Sequence, residues 1–171
     1  MRDPRTKILS LDQALRWRND LRAAGRRLVM TNGCFDLLHR GHVEYLNASR
    51  RLGDALLVAL NTDASVRAIK GPLRPVIPEA DRAYLVASLE CCDAVILFGA
   101  AEATDARPLI ERLRPDVYAK GGDYTLDTIH AGERELLLRL GIRIEFVRLV
   151  PGLSTTDLIR RVTRLADSHS R

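Results

Sequence analysis

The chain has 171 residues, 46% hydrophobic and 29% charged, which suits a single domain over residues 1–171 with a real hydrophobic core. No apolar run approaches the roughly 20 residues that cross a bilayer, and the first residues lack the apolar stretch of a signal peptide. The net charge of +5 comes mostly from arginine and is scattered along the chain, which argues against a nucleic-acid or membrane partner and fits a small anionic substrate.

The first predicted element is an amphipathic helix over 10–24, capped by Ser10 and stopped by Gly25, with Leu11, Ala14, Leu15, Arg18 and Leu21 at helical spacing. Leu28-Val29-Met30 reads as a short buried strand running into Thr31-Asn32-Gly33. A helix over 41–52 ends at Gly53, and 55–60 is a second apolar strand. A short helix over 64–69 closes at Gly71-Pro72, and a helix over 78–91 carries Pro78 in its first turn. Then come a strand over 94–98, a helix over 104–113 and a strand over 117–119. A helix over 133–140, a strand over 142–147 and a helix over 154–165 follow, with a frayed tail after Asp167.

Near-continuous apolar strands alternating with helices predict an α/β domain. The expected architecture is a Rossmann-like, doubly wound parallel sheet of about five strands, its core over about 27–165 behind the N-terminal helix. Such sheets bind ligands at the carboxyl ends of their strands, which nominates the loops 31–42, 61–63, 70–75, 120–124 and 148–156. Cys34, Cys91 and Cys92 make an odd set with no disulfide framework, as expected of reduced thiols in a cytoplasmic protein.

The first of these loops carries Thr31-Asn32-Gly33-Cys34-Phe35-Asp36-Leu37-Leu38-His39-Arg40-Gly41-His42. A glycine just past a strand lets backbone approach a bulky ligand closely. The helix that follows presents unpaired N–H groups and a partial positive charge, which favour phosphate. Two of the four histidines, His39 and His42, sit here three apart, on one side of the first helical turn, placed to donate to one phosphate and its leaving oxygen. Zinc held by Cys34, His39 and His42 is a competing reading that lacks a fourth ligand. Phe35 and Asp36 also read as a core residue and a turn-forming side chain.

The run from Gly33 to His42 resembles the signature of the cytidylyltransferase-like nucleotidyltransferases, whose hallmark is His-x-Gly-His, here preceded by Gly-x-Phe-Asp. Ser154-Thr155-Thr156 is similar to the family's Ser-Thr-Thr motif, and its donors would hold β- and γ-phosphates or merely cap the helix. Lys70 and Arg74 would clamp phosphate or remain solvated loop charges. Lys120-Gly121-Gly122-Asp123-Tyr124 permits close contact with a base or sugar, or is a simple turn. Asp63 would bind sugar hydroxyls or cap a helix.

Within the family, the segments 31–36, 120–124, 152–156 and 74–78 followed by Arg82 resemble the subgroup that transfers AMP from ATP to heptose 1-phosphate. The resemblance covers about 27–162. It implies catalytic roles for His39, His42, Lys70 and Arg74. It places Asn32, Gly33, Cys34, Phe35, Gly41, Lys120, Gly121, Gly122, Asp123, Ser154, Thr155 and Thr156 at the nucleotide, and Asp36, Asp63, Lys70 and Arg74 at the sugar phosphate. It also implies ATP as substrate, with Mg²⁺ on triphosphate oxygens rather than in a protein cage.

In many bacteria this activity is fused behind a sugar kinase domain, so a separate kinase is the expected source of substrate for a stand-alone version. A homodimer is expected because symmetric dimers are the commonest assemblies. The alternative is a cytidylyltransferase acting on glycerol phosphate or a related small phosphoester. Such enzymes carry an arginine-containing segment just before Ser-Thr-Thr, with which Arg148 does not align.

Overall fold

A computed structural model describes residues 3–122, 125–148, 150 and 152–169. Helix α1 (Leu11–Ala23) begins with a reciprocal capping box: the Ser10 hydroxyl accepts the Gln13 N–H, and the Gln13 side chain accepts the Ser10 N–H. It ends where Gly25 takes φ 67°, a turn that residues with a Cβ adopt only under strain. Five strands follow: β1 (Leu28–Gly33), β2 (Ala55–Asn61), β3 (Ala94–Phe98), β4 (Val117–Gly121) and β5 (Arg143–Val147). All pair in parallel, in the order β3-β2-β1-β4-β5.

Helices α2 (Arg40–Arg50), α3 (Asp63–Lys70), α4 (Glu79–Ala87), α5 (Arg107–Leu113) and α6 (Ala131–Arg139) connect the strands, and α7 (Thr155–His169) follows β5. The two-residue period of the strands divides the core between the faces of the sheet. Leu28, Met30, Leu57, Ile96 and Tyr118 pack with Leu21 of α1, Ile110 of α5 and Leu137 of α6. Val29, Leu56, Val58, Val95 and Ala119 pack with Leu46 of α2 and Ala83 and Val86 of α4. β2 is buried along its whole length, hence its unbroken apolar run.

Several boundaries differ from expectation. Pro4–Lys7 form one 3₁₀ turn, too short to carry a periodic signal. It leads into Leu9, whose N–H donates to the Val95 carbonyl at 2.8 Å and covers the edge of β3. Helix α4 stops at Ala87 rather than 91, and the Lys7 ammonium takes the Leu89 and Cys92 carbonyls freed there, at 3.1 and 2.8 Å. Helix α5 starts at Arg107 rather than 104, where the Asp105 carboxylate accepts the Arg107 N–H at 2.9 Å. Helix α7 continues to His169, past the expected fraying point. Among the described residues no helix is long and apolar enough to cross a membrane.

The short pairing between β1 and β4 opens the sheet at its centre. β1 pairs with β2 as far as Gly33↔Leu60, but with β4 only through Val29↔Val117 and Met30↔Tyr118. Beyond Met30 the two central strands part. This is the topological switch point, where doubly wound sheets open toward a ligand.

Candidate active site

The crevice between β1 and β4 is braced by side chains where backbone pairing stops. The Tyr45 hydroxyl of α2 donates to the Ala119 carbonyl at 3.0 Å and meets the Thr31 hydroxyl at 2.5 Å. The Tyr118 hydroxyl donates to Asn32 Oδ1 at 2.5 Å. A Cβ at Gly121 would stand 2.8 Å from the Tyr45 ring, so glycine is what admits the tyrosine there.

The loop between β1 and α2 holds an uncommon backbone. Phe35 and Leu37 both have φ 46°, in the left-handed region that costs a residue with a side chain about 1–3 kcal/mol. Between them Asp36, buried to 1% exposure, is held on all sides. Its carboxylate accepts Arg74 Nε at 2.8 Å and the Val76 and Ile77 N–H groups at 2.9 and 3.0 Å. Its carbonyl accepts the Thr155 hydroxyl at 2.7 Å. Burial disfavours the charged carboxylate, but the two amides and the Arg74 guanidinium outweigh it and hold the pKa below the usual value. Asp36 thus ties the loop 70–77 and the start of α7 to the strained turn.

His39 is the N-cap residue of α2 but makes no capping bond, and His42 lies in the first turn. Their rings stack with centroids 3.8 Å apart, and Phe35 packs edge-on against His42 at 5.3 Å. Both Nδ1 atoms are buried and lack a hydrogen-bond partner among the described residues. Burial, reinforced by His39, pushes the His42 pKa down to about 4, and burial lowers that of His39. Both rings are therefore neutral near pH 7.

A cavity of about 460 Å³ opens beside them, lined by Asn32, Gly33, Cys34, Phe35, Asp36, His42, Lys70, Arg74, Thr155 and Thr156. A smaller cleft of about 160 Å³, bounded by His39, Gly41, His42, Val150, Leu153, Ser154 and Thr155, shares His42 and Thr155 with it. Most of the residues nominated by sequence thus converge. Phe35 is both core, at 6% exposure, and cavity wall. Burial raises the Cys34 thiol pKa, so it stands at the cavity as a neutral group.

Other nominated residues are engaged by neighbours or lie off the larger cavity. Lys120 donates to both Glu133 oxygens, at 2.8 and 2.7 Å, and neither it nor Gly121 and Gly122 lines the cavity. Thr62, not Asp63, caps α3. Asp63 instead accepts from Arg82 Nη2 at 2.6 Å. Ser154 makes a capping pair with Asp157: its hydroxyl donates to the carboxylate at 2.7 Å and accepts the Asp157 N–H at 3.1 Å. Asp123 and Tyr124 lie outside the described residues.

Sequence reasoning gave no role to two buried residues. Arg82, 1% exposed, donates to the Ile77 and Cys34 carbonyls at 2.9 and 2.6 Å as well as to Asp63, joining three loops. Its signal is a charge at helical spacing with Ala83 and Val86, on the face of α4 that must be buried. Asn61, the lone polar residue closing an apolar strand, donates to the Ser65 hydroxyl at 2.9 Å beside Cys34.

Among the described residues no three His, Cys, Asp or Glu side chains are grouped to hold a metal, and the Asp36 carboxylate is occupied by three donors.

The family profile described as cytidylyltransferase-like matches residues 30–161. The chain belongs to the cytidylyltransferase-like family. Among curated relatives, the bifunctional protein HldE of Methylobacillus flagellatus is 49% identical over 156 residues, covering 91% of this chain and 31% of the relative. The bifunctional protein HldE of Magnetococcus marinus is 50% identical over 151 residues, covering 88% of this chain and 29% of the relative. The chain therefore spans about a third of the length of these family members. A solved structure, the lipopolysaccharide core biosynthesis protein from Thermoplasma volcanium GSS1, is 32% identical with a TM-score of 0.59, covering 74% of this chain and 98% of that one.

Proposed function

We propose that the chain transfers AMP from ATP to heptose 1-phosphate, giving ADP-heptose and pyrophosphate. The observation that carries this reading is the stacked, neutral His39–His42 pair at the start of α2, its Nδ1 atoms unpartnered, beside a cavity that also holds Lys70 and Arg74. The similarity to HldE and to a lipopolysaccharide core biosynthesis protein supports a sugar phosphate as the acceptor.

In the proposed reaction a phosphate oxygen of the sugar attacks the α-phosphorus of ATP in line. A new P–O bond forms, the bond to the β-phosphate oxygen breaks, and pyrophosphate leaves with its magnesium. A phosphate dianion is a competent nucleophile near neutral pH, so no general base is required. The protein contributes position and charge stabilisation. His39 and His42 would donate to the α-phosphate and its bridging oxygen, reinforced by the α2 N-terminus. Thr155 and Thr156 would face the β- and γ-phosphates. Arg74, oriented through Nε by Asp36, is a fixed cation, and Lys70, at the exposed end of α3, is an adjustable one. A sugar kinase activity would supply the acceptor.

The direct test is pyrophosphate release from heptose 1-phosphate with ATP, CTP or GTP in parallel. Rapid release with ATP alone is expected. Release only with CTP and glycerol 3-phosphate would replace this reading with the cytidylyltransferase alternative.

A further inference from the structure

We propose that Tyr118 is a positioning residue: it fixes the side-chain amide of Asn32 so that Nδ2 faces the cavity and donates to an oxygen of the acceptor sugar phosphate. This rests on the transfer reaction proposed above and adds a determinant of acceptor binding to it.

The strand register places the two side chains together. Met30 pairs with Tyr118, so Asn32, two residues on, projects on the same face as a diagonal neighbour. Tyr118 has no exposed surface and sits in the core shared with α5 and α6, so its ring cannot swing away. Its hydroxyl donates to Asn32 Oδ1 at 2.5 Å. The nearby Glu133 carboxylate, held by Lys120 through both oxygens, is also a hydrogen-bond neighbour of the phenol. Burial, and after it the negative charge of Glu133, keep that phenol protonated and hence a permanent donor.

An asparagine whose oxygen is engaged has two N–H donors left. Asn32 lines the cavity together with Lys70 and Arg74, while the Asp36 carboxylate is already occupied. The charged and amide groups offered to a ligand there are therefore all donors, a set suited to phosphate and hydroxyl oxygens. His39, Gly41 and Ser154 bound the neighbouring cleft, with His42 and Thr155 between the two. Asn32 thus shares its cavity with Lys70 and Arg74, the cations proposed above for the reacting phosphates.

Tyr118→Phe keeps the ring and its packing and removes only the hydroxyl. Its KM for heptose 1-phosphate should rise about tenfold, with kcat and the KM for ATP within about twofold of wild type. Asn32→Asp replaces the donor with an acceptor and should lower kcat/KM for the sugar phosphate about a hundredfold or more, with Tyr118→Phe adding little in that background.

A readout independent of turnover is the ¹⁵N-labelled side-chain amide of Asn32, assigned by its loss in Asn32→Asp. Its protons should shift with heptose 1-phosphate in the wild type and lose that response in Tyr118→Phe. An unchanged acceptor KM in Tyr118→Phe, or an equal rise in the KM for ATP, would overturn the proposal. A protein that turns over no nucleotide, yet whose Asn32 protons respond to heptose 1-phosphate through Tyr118, would sink the transfer reading and leave this one standing.

Discussion

The imidazoles of His39 and His42 lie nearly face to face, 3.8 Å between centroids and 21° between planes. At that separation a proton on one ring opposes a proton on the other, and burial already disfavours both. The unliganded pair is neutral, and an arriving triphosphate supplies the negative charge that favours protonation.

That electrostatic argument predicts proton uptake on nucleotide binding. The His42 pKa should lie at about 4 in the free protein and climb when ATP binds, as followed by NMR of the ring protons. The same depressed value makes the free protein lose stability on acidification. The unfolded histidine, with its ordinary pKa near 6.5, binds its proton first, so this contribution is complete above pH 6.5 and lost as the pH falls toward about 4. Chemical denaturation of wild type and His42→Asn across that window should show the wild type losing more; equal slopes would contradict the shift.

Removing either imidazole should affect rate far more than fold. His39→Ala and His42→Ala are each expected to lower kcat by about a hundred- to a thousand-fold. Circular dichroism should stay near that of wild type, because neither Nδ1 holds a structural partner among the described residues. Activity close to wild type in either variant would remove the pair from the mechanism.

Asp36→Asn should act mainly on stability. The amide cannot satisfy two N–H groups and the Arg74 guanidinium as a carboxylate does, and it places its own N–H₂ against donors. Breaking a buried ion pair on one side costs about 3 kcal/mol, measurable by urea denaturation. In the wild type the lowered Asp36 pKa contributes stability that is present above the unfolded value near 3.8 and lost as the pH falls through the lower folded one.

Gly41→Ala tests the close fit at the start of α2. The added Cβ would stand 3.0 Å from the His39 ring and 3.3 Å from Leu153 Cβ. A small shift of the ring relieves the contact, so stability should change by about 1 kcal/mol or less, while kcat falls roughly ten- to a hundred-fold through a misplaced donor. An enzyme assay beside a thermal melt separates the two.

β2 was legible because a buried parallel strand is apolar throughout, and the site loop because His39-x-Gly41-His42 stands at the start of a helix. Asp36 was named, but its role was not visible. Its partners lie 38 to 41 residues away, and the left-handed turns at Phe35 and Leu37 occur at residues whose type gives no hint of them. The Lys120–Glu133 pair was invisible for a related reason: the lysine stands just before paired glycines, and only the packing of α6 brings Glu133 onto it. Motifs report residues that must touch a ligand; the partners that hold them in place are scattered by the fold.

The short β1–β4 ladder has a consequence for how such a site can change. Only Val29 and Met30 pair β1 with β4, while 31–33 run on paired with β2 alone. The mouth is therefore open before any ligand arrives, and entry breaks no rung of the sheet. A substitution at Asn32, which lines the cavity, can alter what the mouth recognises without removing a β1–β4 rung, so preference for one acceptor over another can drift while the scaffold beneath it stays the same.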